Sequence, residues 1–237
     1  MKGPTTESAG STRENLIESA ERLFAARGFD GVSVRDIAND AKVNSALVGY
    51  YFGGKQGLLA EVYTRHCAPL KNERERLLAG YSADRRAPSL EEVLDAFIRP
   101  SLEGTADDDG RPTFLRLRAI LSVENSAILE QLVAENFDVS SKLFVKALSK
   151  CLPGLSREDV LWRFHFLLGS IYYTATGPQR IKILSKGKCN PSDPTETKRE
   201  LIAFVAAGFR APSAGLGVKT PAAKKRAVAK RSRNTKG

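Results

Sequence analysis

The sequence predicts an all-α protein, in which a small N-terminal three-helix head is joined by a long helix to a larger C-terminal helical bundle. Apolar residues recur at steps of three and four positions through most of the 237 residues, which is the spacing of amphipathic helices. Pro and Gly separate these segments, as in "LPGLS" and "TGPQR", and no convincing strand or internal repeat is present. With 42% hydrophobic residues, the chain can bury the core of one or two compact domains.

The first helix is predicted to begin at a capping box, Ser11-Thr12-Arg13-Glu14, and to end at Gly28. In a capping box the Ser and Glu side chains satisfy each other's unpaired backbone N–H groups. The apolar stripe of this helix consists of Leu16, Ala20, Leu23 and Phe24.

A second and a third helix follow closely enough to form a helix-turn-helix. Ser33 is predicted to cap the second helix. The third helix is predicted to begin at Asn44 or Ser45, so that only three or four residues separate the two helices. On the third helix, Val48 and Phe52 share one face and are predicted to belong to the core.

The opposite face of the third helix is small or aromatic and carries no charge. Ala46 and Tyr50 lie on it, flanked by Leu47 and Gly49, with Ser45 at its N-terminal end. Such a face can approach base edges in the major groove of DNA. The alternative is that Tyr50 only packs against the next helix.

Gly49, Gly54 and Lys55 have the spacing of a phosphate-binding loop, G-x-x-x-x-G-K. A nucleotide site also needs a preceding strand, small residues between the glycines and a Ser or Thr after the Lys. Here three aromatic residues lie between the glycines, and Gln56 follows the Lys. We therefore interpret the glycines as the end of the third helix.

The remaining chain is predicted to be helical. A long helix runs from Lys55 to about Tyr81 and contains Pro69, which we expect to kink it. The acidic run 107–109 is interpreted as a solvated loop, since it lacks the ligand spacing of a calcium loop. The further predicted helices are 89–102, 112–124, 126–151, 157–176 and 195–210.

The net charge of +10 is concentrated at the C-terminus. Residues 211–237 contain eight basic residues and no acidic one, which leaves +2 for residues 1–210. A segment this polar cannot bury enough apolar surface to fold, so we expect a disordered tail. It is either a solubilising end or a flexible arm that adds nonspecific attraction to nucleic-acid phosphate.

The titratable residues give little indication of an enzyme, a metal site or a cofactor. Three widely spaced cysteines favour reduced structural residues. His66 and His165 have no Cys, Asp or second His at ligand or relay spacing.

No run of about 18 apolar residues is present, and the polar start "MKGPTTESAG" does not resemble a signal peptide. We expect a cytoplasmic protein that does not insert into a membrane.

Residues 12–66 resemble the TetR family of bacterial transcription regulators. The matching segments are "LIESAERLFAARGFDG" and "VSVRDIANDAKVNSALVGYYFGGKQGLLAEVY", which contains the family's three aromatic residues, two small residues, Lys and Leu-Leu. The resemblance implies a homodimer that binds palindromic double-stranded DNA. Its expected parts are a disordered N-terminus (1–10), a DNA-binding head (11–56), a ligand-binding and dimerisation domain (57–210) and the basic tail (211–237).

The same resemblance implies specific DNA contacts. It places Ser33 on phosphate and Arg35 on a base or the backbone, while Lys55 would present its ammonium and the N-terminus of its helix to phosphate. Gly49 stands where the family often has Tyr, and Lys42 replaces the usual Gly of the turn. The predicted DNA-binding residues are Ser33, Arg35, Asn44, Ser45, Ala46, Tyr50, Tyr51 and Lys55, with Ser45 and Ala46 against bases and both tyrosines against the backbone.

The C-terminal segments "FHFLLGSIYYTATGP" and "RELIAFVAAGFRAP" resemble a TetR subgroup whose members sense fatty acids or their coenzyme A thioesters. Two such amphipathic helices can form a two-plus-two helix interface across a dyad. The resemblance implies a small hydrophobic effector. The predicted ligand-binding residues are Phe97, Trp162, Phe166, Tyr172 and Tyr173, each of which is otherwise a plain core residue.

Three functional hypotheses follow from the sequence. The first is a ligand-responsive, sequence-specific DNA-binding repressor, in which the effector shifts the long helix and changes the separation of the two heads. The second is a nonspecific or architectural DNA-binding protein driven by the basic tail. The third, an enzyme acting on a small molecule, is disfavoured because no pair of catalytic groups has a recognisable spacing.

Overall fold

The computed structural model describes residues 6–81, 86–103, 111–122 and 127–213, and within these ranges all regular secondary structure is helical. This confirms the predicted all-α class. The helices are α1 (Thr6–Arg27), α2 (Val34–Asp40), α3 (Ala46–Phe52), α4 (Lys55–Tyr81), α5 (Leu90–Leu102), α6 (Arg111–Leu121), α7 (Ala127–Cys151), α8 (Arg157–Thr176), α9 (Pro178–Leu184) and α10 (Pro194–Arg210).

Side-chain caps explain where several helices begin. Ser33, Ser89 and Ser156 each accept a hydrogen bond from the backbone N–H three residues on, and the acidic side chain at that position bonds back to the serine N–H. Asp193 caps α10 by accepting from two backbone N–H groups. Each cap satisfies donors that a helix N-terminus otherwise leaves unpaired.

Three local features differ from the sequence-based expectation. α1 begins at Thr6, so the predicted capping box at Ser11 lies inside the helix, and residues 6–10, expected to be disordered, are helical. The short helix α9 was not predicted, because Pro178 looked like a break whereas it occupies the first turn of a new helix. The connection between α2 and α3 contains five residues rather than three or four.

Two hydrophobic clusters form the interior. The first joins α1, α2 and α3 to the N-terminal part of α4, and it continues into α6 and the first half of α7. The second joins the C-terminal part of α4 to α5, the second half of α7, α8 and α10. The core of the head therefore extends past the predicted domain boundary at residue 56, because side chains of α4, α6 and α7 complete it.

Some segments for which the sequence predicts a structure lie outside the described residues. They include the acidic run 107–109 and residues 214–237 of the basic tail. Within the described residues, every helix is too short or too polar to cross a membrane.

Candidate nucleic-acid interface

The helix-turn-helix is fixed against α1 by apolar packing and one ion pair. Ile37 of α2 and Val48 of α3 are fully buried in the first cluster. On the surface, Arg22 of α1 lies 2.7 Å from a carboxylate oxygen of Asp40 at the end of α2. The turn between α2 and α3 places Lys42 at φ 56°, so the lysine adopts the left-handed conformation that favours glycine.

Ser33 closes the N-terminus of α2, as the sequence predicted. Its hydroxyl accepts from the Asp36 N–H (3.1 Å) and donates to the Asp36 carboxylate (2.6 Å). These hydrogen bonds hold the pKa of Asp36 below its ordinary value. Ser33 and the neighbouring Arg35 are exposed, so the predicted phosphate contacts lie on the surface of the head.

The outer face of α3 is exposed, whereas its inner face is buried. Val48 lies in the core and Tyr50 on the opposite side is 79% exposed. Asn44, Ser45 and Ala46 are exposed at the N-terminal end of the helix. We call the exposed set Asn44, Ser45, Ala46, Gly49 and Tyr50 the recognition face.

The first turn of α3 is organised by Asn44 rather than by Ser45. The Asn44 Oδ1 accepts a hydrogen bond of 2.8 Å from the Ala46 N–H, whereas the Ser45 side chain makes no capping hydrogen bond. The Ser45 hydroxyl is thus not needed to hold the helix and can contact a ligand. Serine hydroxyls both donate to and accept from base edges.

The aromatic residues at the end of α3 have different environments. Tyr51 and Phe52 are half-buried and pack on the edge of the first cluster. Tyr51 contacts the Tyr50 ring edge-on, with 5.0 Å between ring centroids. The Arg13 guanidinium lies 5.3 Å from the Phe52 ring centre. Phe52 was predicted to be core and is partly so, at the rim.

A glycine turn joins α3 to α4, which confirms that these glycines end a helix. Gly53 and Gly54 have φ values of 69° and 125°, where a side chain would be strained. Gly57, which the sequence analysis did not single out, is also required: a Cβ atom there would lie 1.9 Å from the Phe52 carbonyl oxygen. α4 therefore starts in close contact with the end of α3.

Lys55 has a structural role that the sequence does not indicate. Its ammonium donates to the carbonyl oxygens of Phe29 and Val32, both at 2.9 Å. It also lies 4.0 Å from the centre of the Phe29 ring. Two of its three donors thus hold the connection between α1 and α2. The predicted phosphate contact of this ammonium would rely on the remaining donor.

A buried pair ties α1 to α4 behind the head. The Nε2 atom of His66 lies 2.8 Å from a carboxylate oxygen of Glu21, and both side chains are buried. The His66 ring stacks on Phe114 of α6, with ring centroids 4.8 Å apart. Sequence spacing carries no signal for this pair, since the two residues are 45 positions apart.

The predicted ligand-binding residues fall into two sets. Phe97 belongs to the second cluster and the half-buried Tyr172 packs against it, whereas the other three lie outside it. Trp162, Phe166 and Tyr173 are 62%, 61% and 63% exposed on the outer face of α8, so they do not line an internal pocket in the protomer. Phe97 is buried between Phe144 and Phe164. Because amphipathic spacing identifies faces rather than their neighbours, the sequence could not separate these environments.

α10, which packs against α8, also exposes an aromatic residue. Phe204 on α10 is exposed, and Ala203, Ala207 and Gly208 around it are small and exposed. Small residues let a second helix approach closely. We call the α8 residues Trp162, Phe166 and Tyr173 together with Phe204 the apolar face. Exposed apolar surface of this kind indicates an interaction site.

A cavity of about 490 Å³ lies between α4, α7 and the segment before α5. Apolar residues such as Leu78 and Leu143 line it, and Lys146 and Lys150 are also part of its lining. This size and mostly apolar lining are typical of small-molecule sites. The sequence does not predict this cavity, because its walls come from distant segments.

Comparisons with known proteins agree with this geometry. Residues 16–62 match the family model "Bacterial regulatory proteins, tetR family", and residues 95–208 match "Tetracyclin repressor-like, C-terminal domain". The probable HTH-type transcriptional regulator YttP of Bacillus subtilis is 55% identical over 49 residues, which is 21% of this chain and 24% of the relative. The HTH-type transcriptional repressor NicS of Pseudomonas putida is 35% identical over 60 residues, 25% of this chain and 28% of the relative.

The matches to these two curated relatives cover less than a third of each relative's own length. Solved structures extend the similarity of fold to most of the chain. The structure of the fatty acid degradation regulator FadR from Bacillus halodurans superimposes with a TM-score of 0.58 at 17% identity. The match covers 89% of this chain and 98% of that one. With both its helix-turn-helix head and its C-terminal bundle matched, the chain belongs to the TetR family of DNA-binding transcription regulators.

Proposed function

We propose that this protein is a homodimeric, ligand-responsive repressor that binds a palindromic operator and is released from it by a small hydrophobic effector. The observation that carries the proposal is the recognition face of α3, which is exposed on a helix whose other side is buried. A rigid helix with a smooth, uncharged outer face can enter the major groove. Ser33 and Arg35 at the start of the neighbouring α2 are also exposed, and phosphate contacts from them would orient the head.

The apolar face supports a homodimer. It presents Trp162 and Phe166 to solvent with their rings stacked, at 5.9 Å between centroids. A twofold interface uses the same patch on both partners, and α8 and α10 of two protomers would form a four-helix contact. Aromatic residues buried at the centre of such a contact contribute most of its binding free energy.

The way in which the head is attached supports effector control. The first hydrophobic cluster joins the head to α4, α6 and α7, so a displacement of these helices moves the head as well. Two half-sites lie about 34–36 Å apart on DNA. A shift of a few ångströms in head separation would therefore misalign the second head with its groove. The effector and the operator would each weaken the binding of the other.

The cavity beside α4 supports a hydrophobic effector. Leu78 and Ala79 of α4 form part of its wall, so an occupant would contact the helix that carries the head. The charged residues of the lining are net positive, with Arg86, Lys146 and Lys150 against one Glu75, which suits an acidic effector. We therefore propose fatty acyl-coenzyme A, or the free fatty acid, as the effector class.

Selection of bound sequences from random duplex DNA tests the DNA-binding part of this proposal. We expect a palindrome whose half-sites are one helical turn apart. The Ser45→Ala and Tyr50→Phe variants should each bind the selected site about 5- to 30-fold more weakly, the effect of one lost contact of about 1–2 kcal/mol. Asn15→Ala, an exposed change on α1, is the matched control and should bind normally. Normal binding by both α3 variants would remove the recognition face from the interface.

Deletion of the tail separates specific from nonspecific binding. The deletion should begin after Ser213. The Pro212 carbonyl oxygen accepts a hydrogen bond from Arg163 of α8, and the Ser213 hydroxyl donates one to Asp159 of the same helix. We expect the truncated protein to keep its sequence preference and to show a shallower salt dependence, since eight basic residues are lost. Loss of all sequence preference would instead favour the architectural hypothesis.

A further inference from the structure

Two arginines are buried where the two hydrophobic clusters meet. Arg74 of α4 is 3% exposed and Arg118 of α6 is 6% exposed. On α4, Arg74 lies between Leu70, which belongs to the first cluster, and Leu77, which belongs to the second. Arg118 follows Leu117 of the first cluster. Positive charge thus lies at the seam between the head-bearing part and the rest of the bundle.

Arg74 is held by neutral groups. Its Nε donates to the Phe97 carbonyl oxygen at 2.9 Å, and its Nη2 donates to the Ser101 hydroxyl at 2.8 Å. The guanidinium lies 3.7 Å from the centre of the Phe97 ring. These contacts fix the orientation of the guanidinium but bring no negative charge to it.

Arg118 is surrounded by aromatic rings. Its guanidinium lies 3.9 Å from the Phe137 ring centre and 5.2 Å from that of Tyr172. Its Nε is buried and makes no hydrogen bond with the residues that the structure describes. No aspartate or glutamate is among the described groups that shift the pKa of either arginine. For Arg74 these groups are Arg118, Tyr172 and Cys67. For Arg118 they are Tyr172, Tyr63 and Cys67, and Tyr63 is also a hydrogen-bond partner of its side chain.

This arrangement is unfavourable without an anion. Burying a cation is costly unless an opposite charge accompanies it, and ring faces compensate only in part. Arginine does not avoid the cost by losing its proton. Burial, followed by the positive charge of Arg118, lowers the pKa of Arg74 to about 9, so it stays charged at neutral pH. Two neighbouring cations also repel each other.

We propose that the acidic group of the effector binds between Arg74 and Arg118, so that the effector is an amphipathic organic anion. The unpaired Nε of Arg118 supplies a donor that a carboxylate or a phosphate monoester accepts. The rings of Phe97, Phe137 and Tyr172 suit the apolar part of such a molecule. Leu78, which lines the cavity, lies one helical turn beyond Arg74 on the same side of α4, so an apolar chain can extend in that direction.

The position of the two arginines connects this site to the DNA-binding head, and this step rests on the proposed function. Arg74 is on the helix that begins at the head, and Arg118 is on α6, which packs against both α1 and α8. An anion that draws the two guanidinium groups together therefore draws α4 and α6 together. The head follows, because its core includes side chains of both helices.

Titration calorimetry on the full-length protein tests the site directly. The probes are decanoate, decyl phosphate and decanol, which share an apolar chain and differ in charge. We expect one or both anions to bind at least about 10-fold more tightly than decanol, because only the anions can form a charge-assisted hydrogen bond with a guanidinium group. The preferred anion distinguishes a carboxylate from a phosphate head group. Equal binding of all three, or no binding of either anion, would overturn the proposal.

Variants then assign the binding to the arginines. Arg118→Met is expected to fold, since apolar replacements of buried charges are often tolerated, and to lose about 10-fold or more in anion affinity. Arg118→Lys keeps the charge and should retain part of the binding. Arg116→Met, an exposed change on the same helix, is the matched control. Anion binding by Arg118→Met equal to that of the unaltered protein would show that the site is elsewhere.

Operator binding is measured separately on the same proteins. We expect the bound anion to weaken operator affinity in the unaltered protein and in Arg116→Met, but not in Arg118→Met. If the protein selects no DNA sequence and still binds the anion through Arg118, the proposed regulatory function fails and the anion site stands. If it selects an operator and binds no anion, the reverse holds.

Discussion

Lys55 is the first residue of α4, but its side chain stabilises the head. Its ammonium is hydrogen-bonded to two carbonyl oxygens of the connection between α1 and α2. It therefore fixes the start of α2, and with it the position of Ser33 relative to α3. The resemblance of residues 12–66 to the TetR family predicted that Lys55 lies near DNA phosphate. Only the folded chain reveals that the charge is directed mainly at backbone carbonyls.

Replacing Lys55 with Met should lower the free energy of unfolding by about 1–3 kcal/mol, because two carbonyl oxygens lose a charged donor. Urea denaturation followed by circular dichroism measures the change. Lys142→Met removes an exposed lysine of α7 and should stay within about 0.5 kcal/mol of the unaltered protein. Equal stability of the two variants would mean that the Lys55 hydrogen bonds contribute nothing measurable.

The buried face of α3 and its exposed face could both be predicted from helical periodicity, which specifies opposite sides of one helix. The same reasoning could not place Trp162 and Phe166, because it does not reveal whether an apolar side of α8 meets another helix or solvent. Arg74, Arg118, Glu21 and His66 were missed for a related reason. Charged residues are assigned to the surface unless their distant neighbours are known.

At the level of helices, the caps determine where several of them begin. Ser89 and Glu92 form a capping box at α5, and Arg86 adds two hydrogen bonds to the Glu92 carboxylate. The Arg86 hydrogen bonds, followed by those from Ser89, lower the pKa of Glu92 from its ordinary value of 4.5 to about 2. A folded-state pKa below the unfolded value contributes stability above the unfolded pKa.

The stability contributed by Glu92 should therefore be fully present above pH 4.5 and be lost as the pH falls toward about 2. Glu92→Gln removes this titration, so its melting temperature should be lower than that of the unaltered protein near neutral pH and the two should converge in acid. Differential scanning calorimetry across this pH range measures both curves. Glu18→Gln, an exposed change in α1, should leave the difference between neutral and acidic pH unchanged. Parallel curves for Glu92→Gln and the unaltered protein would contradict the argument.

Helix starts were predicted closely wherever an apolar stripe follows a break, since α4 to α8 and α10 begin within one residue of the predicted starts. α2, α5 and α8 begin within a residue of the predicted start, each after a serine. α1 contains a sequence with the same capping pattern at Ser11, but the preceding residues 6–10 continue the helix. A capping pattern permits a helix to begin at a residue without requiring it, since the upstream residues can also be helical.

For the whole molecule, dimerisation should depend on the apolar face. Phe166→Glu places a charge at the stack with Trp162, and we expect the dimer dissociation constant to rise by about 30-fold or more, as for a central aromatic residue. Sedimentation velocity over a range of concentrations measures this change. Val139→Glu alters an exposed apolar residue on α7 and is the control. An unchanged dimer in Phe166→Glu would exclude α8 from the interface.

Operator binding should fall together with dimerisation in Phe166→Glu, because a monomer contacts only one half-site. A gel-shift titration with the selected palindrome tests this expectation. Monomeric protein that binds the full palindrome with undiminished affinity would show that the two heads do not act together.

The shared interior of the head and the bundle also limits how such a regulator can be redesigned. A hybrid made by joining foreign residues to this chain at Gln56 would place a new α1 against Leu58, Leu59 and Val62 and against the α6 residues of the first cluster. Side chains selected in two different proteins would then have to fill one interior, and mismatched packing is destabilising. The recognition face, which we propose reads the operator, can be changed without altering that interior, so it is the more direct place to introduce a new operator preference.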